Sequence, residues 1–188
     1  WKNFSANALH KISPTAWENS AIGHAKLFEK VASNDLKLEY KIPEINLEHI
    51  KKLTTDFGML QFSVINQPDI NSGYTIDDNA RALVAMCEFY ELNNDDSDLE
   101  YIKIYLDYLV YCLQEDGSFL NYVDKNKNFT TQNFTENLED SNGRAIWALG
   151  YLISLSSILP VEVVEKAKFA FDRSVFNIHK LHSTRAMA

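Results

Sequence analysis

Basic runs are missing from this chain, and so is any apolar stretch long enough to cross a bilayer. The formal charge is −8, the wrong sign for a surface that binds nucleic acid by neutralising phosphates. A spanning helix needs about 20 consecutive apolar residues, and no segment supplies them, so neither nucleic acid nor membrane is expected as a partner. Glycine and proline are scarce, six and four in 188 residues. Few points therefore force a turn, and long helices are favoured. The two cysteines, Cys87 and Cys112, lack metal-ligand spacing and sit in helical patterns, which marks them as buried reduced thiols. Neither a phosphate-cradling glycine loop nor the spacing of a nucleophile triad occurs. No metal and no cofactor are expected. No secretory signal pattern is visible after Trp1, and a cytoplasmic location is expected.

What is present is an ordinary apolar share, 46%, arranged around residues 73–86. Gly73 and Tyr74 form a turn, and Thr75, Asp77, Asp78 and Asn79 form a polar cluster suited to starting a helix. From Ala80 to Cys87 only Arg81 is neither apolar nor small. The pattern returns at 140–146 and at 181–187. Without gaps, Asp77 falls on Asp140 and Leu181, Asn79 on Asn142 and Ser183, and Arg81 on Arg144 and Arg185. His182 takes the place of Asp78. The arginine spacings, 63 and 41 residues, are unequal, so this is one helix start used three times rather than a uniform solenoid.

Further helices follow from periodicity. Residues 15–32 read as one, with Thr15 and Glu18 as a capping box and Trp17, Ala21, Phe28 and Val31 on one stripe. Residues 33–43 read as a linker, and a short helix at 46–54 has Asn46 as its cap. An extended run follows at 57–65. The stretches 77–92 and 144–155 are apolar nearly all round, whereas 98–114 and 161–177 each carry one apolar stripe. Helices apolar all round are buried on all sides, and striped ones bury one face. Their alternation predicts inner and outer layers, an all-α fold of the α/α toroid kind. A plain up-down bundle would make every helix amphipathic in the same way. All inner helices then run in one direction and their starts meet at one mouth. The loop 115–139 is far longer than the usual four to six residues or so. It carries the turn signal Asp116-Gly117, a short β-hairpin is expected within it, and it is rich in aromatics: Phe119, Tyr122, Phe129 and Phe134.

Three pieces, Gly73-Tyr-Thr-Ile-Asp-Asp-Asn-Ala-Arg-Ala-Leu, Asp116-Gly-Ser-Phe and Glu139-Asp-Ser-Asn-Gly-Arg-Ala-Ile-Trp-Ala-Leu-Gly, resemble a helical toroid domain of bacterial carbohydrate-active proteins. That domain is found at the C-terminal side of retaining, nucleotide-sugar-dependent family 4 glycosyltransferases. Trp17-Glu-Asn-Ser-Ala-Ile through Lys26-Leu-Phe is similar to the last helix of such transferases. The resemblance implies a six-hairpin, glycosidase-like toroid. It places residues 1–32 at the end of a preceding transferase-like domain, 33–43 as linker and 44–188 as the first part of a toroid, truncated at Ala188. Implied partners are a sugar or oligosaccharide and that transferase domain. The transferase's nucleotide-binding residues are not carried over.

Roles at the mouth rest on chemistry. Two adjacent carboxylates cannot both cap one helix, so Asp78, and Glu139 beside Asp140, are the candidates for acid and base or acid and nucleophile on a glycosidic bond. Hydrogen bonding to sugar hydroxyls is the alternative. Asp77, Asp140, Arg81, Arg144, Arg185 and His182 are candidate substrate contacts. The competing structural reading makes the carboxylates helix-dipole partners and the arginines internal ion pairs between repeats. Tyr74, Phe119 and Tyr122 are placed on the rim for sugar stacking, or fold back as loop cover. A non-catalytic scaffold that docks on the transferase is the alternative function. Trp147 is read as core, yet in a partial toroid Trp147, Ile146, Tyr151, Phe171 and Met187 include side chains facing an open seam, through which copies would associate.

Overall fold

The computed structural model describes residues 17–31 and 44–186. The cap at Thr15 with the Glu18 side chain, the linker 33–43, and Met187 and Ala188 lie outside the described residues. The chain divides into two compact units, Trp1–Ile45 and Asn46–Ala188. In the first, α1 (Trp17–Val31) is a helix whose stripe residues Trp17, Phe28 and Val31 are exposed.

The second unit is mostly helical. It contains α2 (Glu48–Leu53), α3 (Ile76–Asn93), α4 (Leu99–Cys112), α5 (Glu139–Ser154) and α6 (Val161–Ser174). A two-stranded pair, β1 (Ser63–Val64) with β2 (Gln67–Pro68), precedes a second pair, β3 (Tyr74–Thr75) with β4 (Tyr122–Val123). Single turns of 3₁₀ helix fill Ile70–Ser72, Asp96–Asp98 and Thr131–Phe134, and a longer one runs over Val175–Lys180. No described helix is long and apolar enough to cross a membrane.

Local chemistry explains the helix limits. The Thr75 hydroxyl accepts the Asp78 N–H at 3.2 Å, so Thr75 caps α3, and Asp77 and Asp78 favour its dipole. The helix ends where Asn94 turns left-handed, φ 50°. Asn46 accepts the Glu48 N–H at 2.8 Å ahead of α2, and Asn137 accepts the Glu139 N–H at 2.8 Å ahead of α5.

Direction follows from paired contacts. Asp77 and Arg144 meet near the starts of α3 and α5, and Tyr151 donates to Glu91 near their ends. These two helices are therefore parallel, as the repeat requires. Lys103 pairs with Glu162 and Asp107 with Lys166, so α4 and α6 are parallel too. Short connections, 94–98 and 155–160, make α3–α4 and α5–α6 helical hairpins. The core is shared among the four helices, with Ile76, Leu83, Met86, Ile102, Leu106, Leu109, Leu149 and Leu152 fully buried. Each such side chain contributes about 1.5–3 kcal/mol. Cys87 and Cys112 are buried free thiols, and burial pushes the Cys87 thiol up to about 12.

Three expectations need correction. The hairpin expected in the long loop is minimal, one antiparallel bridge flanked by two backbone hydrogen bonds, and is not the main pairing of its strand. The ladder partner of that strand is β3, with Tyr74 opposite Val123 and Thr75 opposite Tyr122. Within the loop only a single bridge, Val123 to Phe129, spans the turn at 124–128. Gly73 permits this long-range ladder: at φ 67° it brings the strand so close that a Cβ would lie 2.4 Å from the Val123 carbonyl oxygen. Second, Leu181–Ala186 contains no helix and ends in a turn closed by Ala186 N–H to the Ser183 oxygen at 3.1 Å. Third, Trp147 is not core but 54% exposed, in keeping with the seam reading rather than the core reading. Its counterpart in the first repeat, Val84, is 5% exposed. The face of α3 is covered by α5, whereas no described helix covers the equivalent face of α5.

Candidate functional site

The two complete helix starts are anchored by asparagines. Asn79 donates to the Thr75 and Met59 oxygens and accepts the Met59 N–H at 2.7 Å. Asn142 donates to the Leu138 and Phe119 oxygens and accepts the Phe119 N–H at 2.8 Å. Each thus holds its own helix start and both backbone groups of one residue in a preceding turn. Those turns correspond, with bridges Thr54 to Met59 and Leu113 to Phe119 after α2 and α4. The repeat unit is therefore helix, turn, loop, then clamped helix. Sequence alignment put Asn79 on Asn142 but assigned neither a role, because the clamped residues lie 20 and 23 positions upstream. A third asparagine, Asn133, organises the long loop by accepting the N–H groups of Asn121 and Tyr122 and donating to the oxygens of Tyr122 and Thr130.

At the starts of α3 and α5 the charges form a row in which sign alternates. Arg81 pairs with Asp77 on its own helix, and Arg144 Nε stands 2.6 Å from Asp77 across the helix pair. Neither Arg144 Nε nor Asp77 Oδ1 has the alignment of a hydrogen bond, so this contact is coulombic. Arg144 also reaches Asp140 at 3.3 Å, and Arg185 Nε lies 3.5 Å from Asp140. Arg185 thus stands toward Asp140 as Arg144 stands toward Asp77. The three arginines and the two carboxylates are brought together as the repeat implies, and the partners they find are one another.

Asp78 and Glu139 are occupied as well. Asp78 accepts the Thr75 hydroxyl at 2.6 Å and pairs with Arg81 at 2.9 Å. It belongs to the α3 cap, a role expected of Asp77. Glu139 accepts the backbone N–H groups of His182 and Ser183 through one oxygen, Oε2, at 2.5 and 2.6 Å. Those bonds, His182 first, hold its carboxyl below the usual value. His182 is exposed, and its hydrogen bond to Glu139 comes from the backbone N–H rather than the ring. Tyr74 and Phe119, 3% and 1% exposed, are buried with no face open to a ligand. Tyr74 packs against Phe57, with ring centroids 5.1 Å apart. Tyr122 is half-buried on the β3–β4 ladder, Phe129 stacks on Tyr111 at 5.1 Å, and Phe134 is exposed.

Two depressions flank this row. One, of about 450 Å³, is lined by Gly143, Arg144, Trp147, Arg185 and Ala186. The other, of about 230 Å³, lies among Asp116, Ser118, Glu139, Asn142, Asn177 and Lys180. No group of three or more potential metal ligands occurs among the described residues. The exposed Trp147 is the functional candidate that sequence reading missed. Its tryptophan identity at a position otherwise filled by Val84 was the available signal.

The chain matches no protein-family model, and no curated protein is found similar to it.

Proposed function

We propose that residues 44–188 form part of an α/α toroid that binds oligosaccharide without cleaving it, working beside a glycosyltransferase-like domain whose last helix α1 resembles. One observation carries the binding reading. The parallel starts of α3 and α5 gather a row of arginines and aspartates next to an open groove walled by an exposed tryptophan. Polar forks beside an aromatic face suit a sugar, whose ring has hydroxyls at the edge and C–H groups on its faces. The commitment of the carboxylates speaks against hydrolysis. A glycosidase needs two carboxyl groups placed to trade protons or attack, and Asp77, Asp78, Glu139 and Asp140 each have at least one oxygen held by arginine, hydroxyl or backbone N–H partners, with Oδ1 of Asp77 and of Asp140 left without a hydrogen bond. Non-catalytic docking on the transferase is the second reading, favoured by the exposed stripe of α1.

The test is isothermal titration of the full chain with a panel of linear tetrasaccharides, alongside assay for released reducing ends. Saturable binding without product is expected. Product release at a rate lost in Glu139→Gln would overturn the non-catalytic assignment. Absence of binding across the panel would overturn the carbohydrate reading.

A further inference from the structure

We infer that the groove beside Trp147 is a subsite for an acidic sugar unit, one bearing a carboxylate such as a uronic acid; this rests on the carbohydrate reading above and names its ligand class. The chain as a whole carries −8, yet the described residues that line the groove include two arginines and no acid. The two arginines are not equally engaged. Arg144 is divided between Asp77 and Asp140, and its side chain is 24% exposed. Arg185 makes its one ion pair among the described residues through Nε, at 3.5 Å, and its side chain is 77% exposed. Its terminal nitrogens form the planar fork that takes a carboxylate by two parallel hydrogen bonds.

Asp140 lies between Arg144 and Arg185, and of these two guanidiniums Arg185 is the one engaged only through Nε among the described residues. The indole of Trp147, 54% exposed, supplies a flat wall for the ring face of the same sugar unit. Gly143 lets the Ala186 backbone close onto α5 beside the groove, where a Cβ would stand 2.4 Å from the Ala186 oxygen. The volume of about 450 Å³ falls in the range of small-molecule sites, about 300–1,000 Å³. A neutral sugar would use the wall but leave the fork unmatched.

The experiment is a fluorescence and calorimetric titration of the full chain with linear tetrasaccharides of glucuronate and galacturonate, each beside its neutral glucose or galactose counterpart, with sodium acetate as the bare anion. At least one acidic tetrasaccharide should bind at least about tenfold tighter than its neutral counterpart. That margin should shrink as salt rises from about 0.05 to 0.5 M. Arg185→Gln should erase the margin, and Trp147→Ala should abolish binding where Trp147→Phe retains it, with melting curves showing each variant folded. Equal binding of neutral sugars, or no effect of Arg185→Gln, overturns the acidic preference and leaves the carbohydrate reading standing. Acetate as strong as the tetrasaccharide shows a plain anion site and overturns the proposal. Binding of no sugar overturns both readings. A dimer in light scattering that Trp147→Ala dissociates assigns the groove to a protein partner and overturns the proposal.

Discussion

Asn79 and Asn142, 63 residues apart, make the same three kinds of backbone hydrogen bond. Each ties a helix start to a turn that ends the preceding helix. Because the clamped groups around Asn142 are buried, removing its side chain strands an N–H and a carbonyl away from water. Asn142→Ala should cost about 2–4 kcal/mol in urea unfolding, since each unsatisfied buried group costs about 1–3 kcal/mol. Asn79→Ala should cost somewhat less, because Met59 is only half-buried. A loss below about 0.5 kcal/mol at Asn142 would show that water replaces the clamp.

The charge row predicts coupling between repeats. Arg144 and Asp77 sit on different helices, each less than a third exposed, so their pairing is less screened than a surface pair. A double-mutant cycle with Arg144→Met and Asp77→Asn should return about 0.5–2 kcal/mol of coupling, reduced by salt. The same cycle on Arg185 and Asp140 should return close to zero, because Arg185 is 77% exposed and 3.5 Å away. Equal coupling in both cycles would mean that the two arginines do not differ in engagement.

Much of this arrangement was legible in the sequence. The Asp-x-Asn-x-Arg pattern located the starts of α3 and α5, because cap, dipole and ion-pair chemistry act within one turn. Their shared direction followed from the repeat. Partners distant in sequence were not legible. Nothing local ties Met59 to Asn79 or Tyr74 to Val123, and a one-residue change in loop path would alter both. Trp147 was misread for a related reason. Apolar periodicity reports which helix faces avoid water when every neighbour is in place, and the neighbour of this face is not among the described helices. Glu139 looked free because its partners are two backbone N–H groups 43 and 44 residues away, whereas the Arg81 partner of Asp78 lies within one turn and was legible.

Glu139 makes the segment Leu181–Ala186 sensitive to acid. Two N–H donors lower its carboxyl from the ordinary 4.5. A depressed acid contributes stability that is fully present above 4.5 and is lost as pH falls through the lower folded value. Once the change that comes from the His182 ring is subtracted, the amide resonances of His182 and Ser183 should hold steady down past 4.5 and shift together below it. In Glu139→Gln both should already be shifted at neutral pH and show no such step. A midpoint above 4.5 would mean that the N–H contacts do not form in solution.

Gly143 gives a sharper handle on the same segment. It lies in α5, where alanine is the better helix former by about 1 kcal/mol. A Cβ there would stand 2.4 Å from the Ala186 oxygen and 2.8 Å from its Cα, both backbone atoms, so the segment rather than a side-chain tip has to move. Gly143→Ala should thus leave overall unfolding unchanged or slightly improved while detaching Leu181–Ala186. Hydrogen exchange at His182 and Ser183 should accelerate as the Glu139 bonds open. Sugar affinity at the groove should fall with it, since Arg185 leaves its place opposite Trp147. Gly150→Ala is the control. Its Cβ would meet only the Phe171 ring, at an ordinary 3.6 Å, so it should stabilise α5 and leave both exchange and binding untouched. Unaltered exchange in Gly143→Ala would show that the segment does not rest on α5 in solution. The arginine row would then end at Arg144, and the groove would lose one of its two walls.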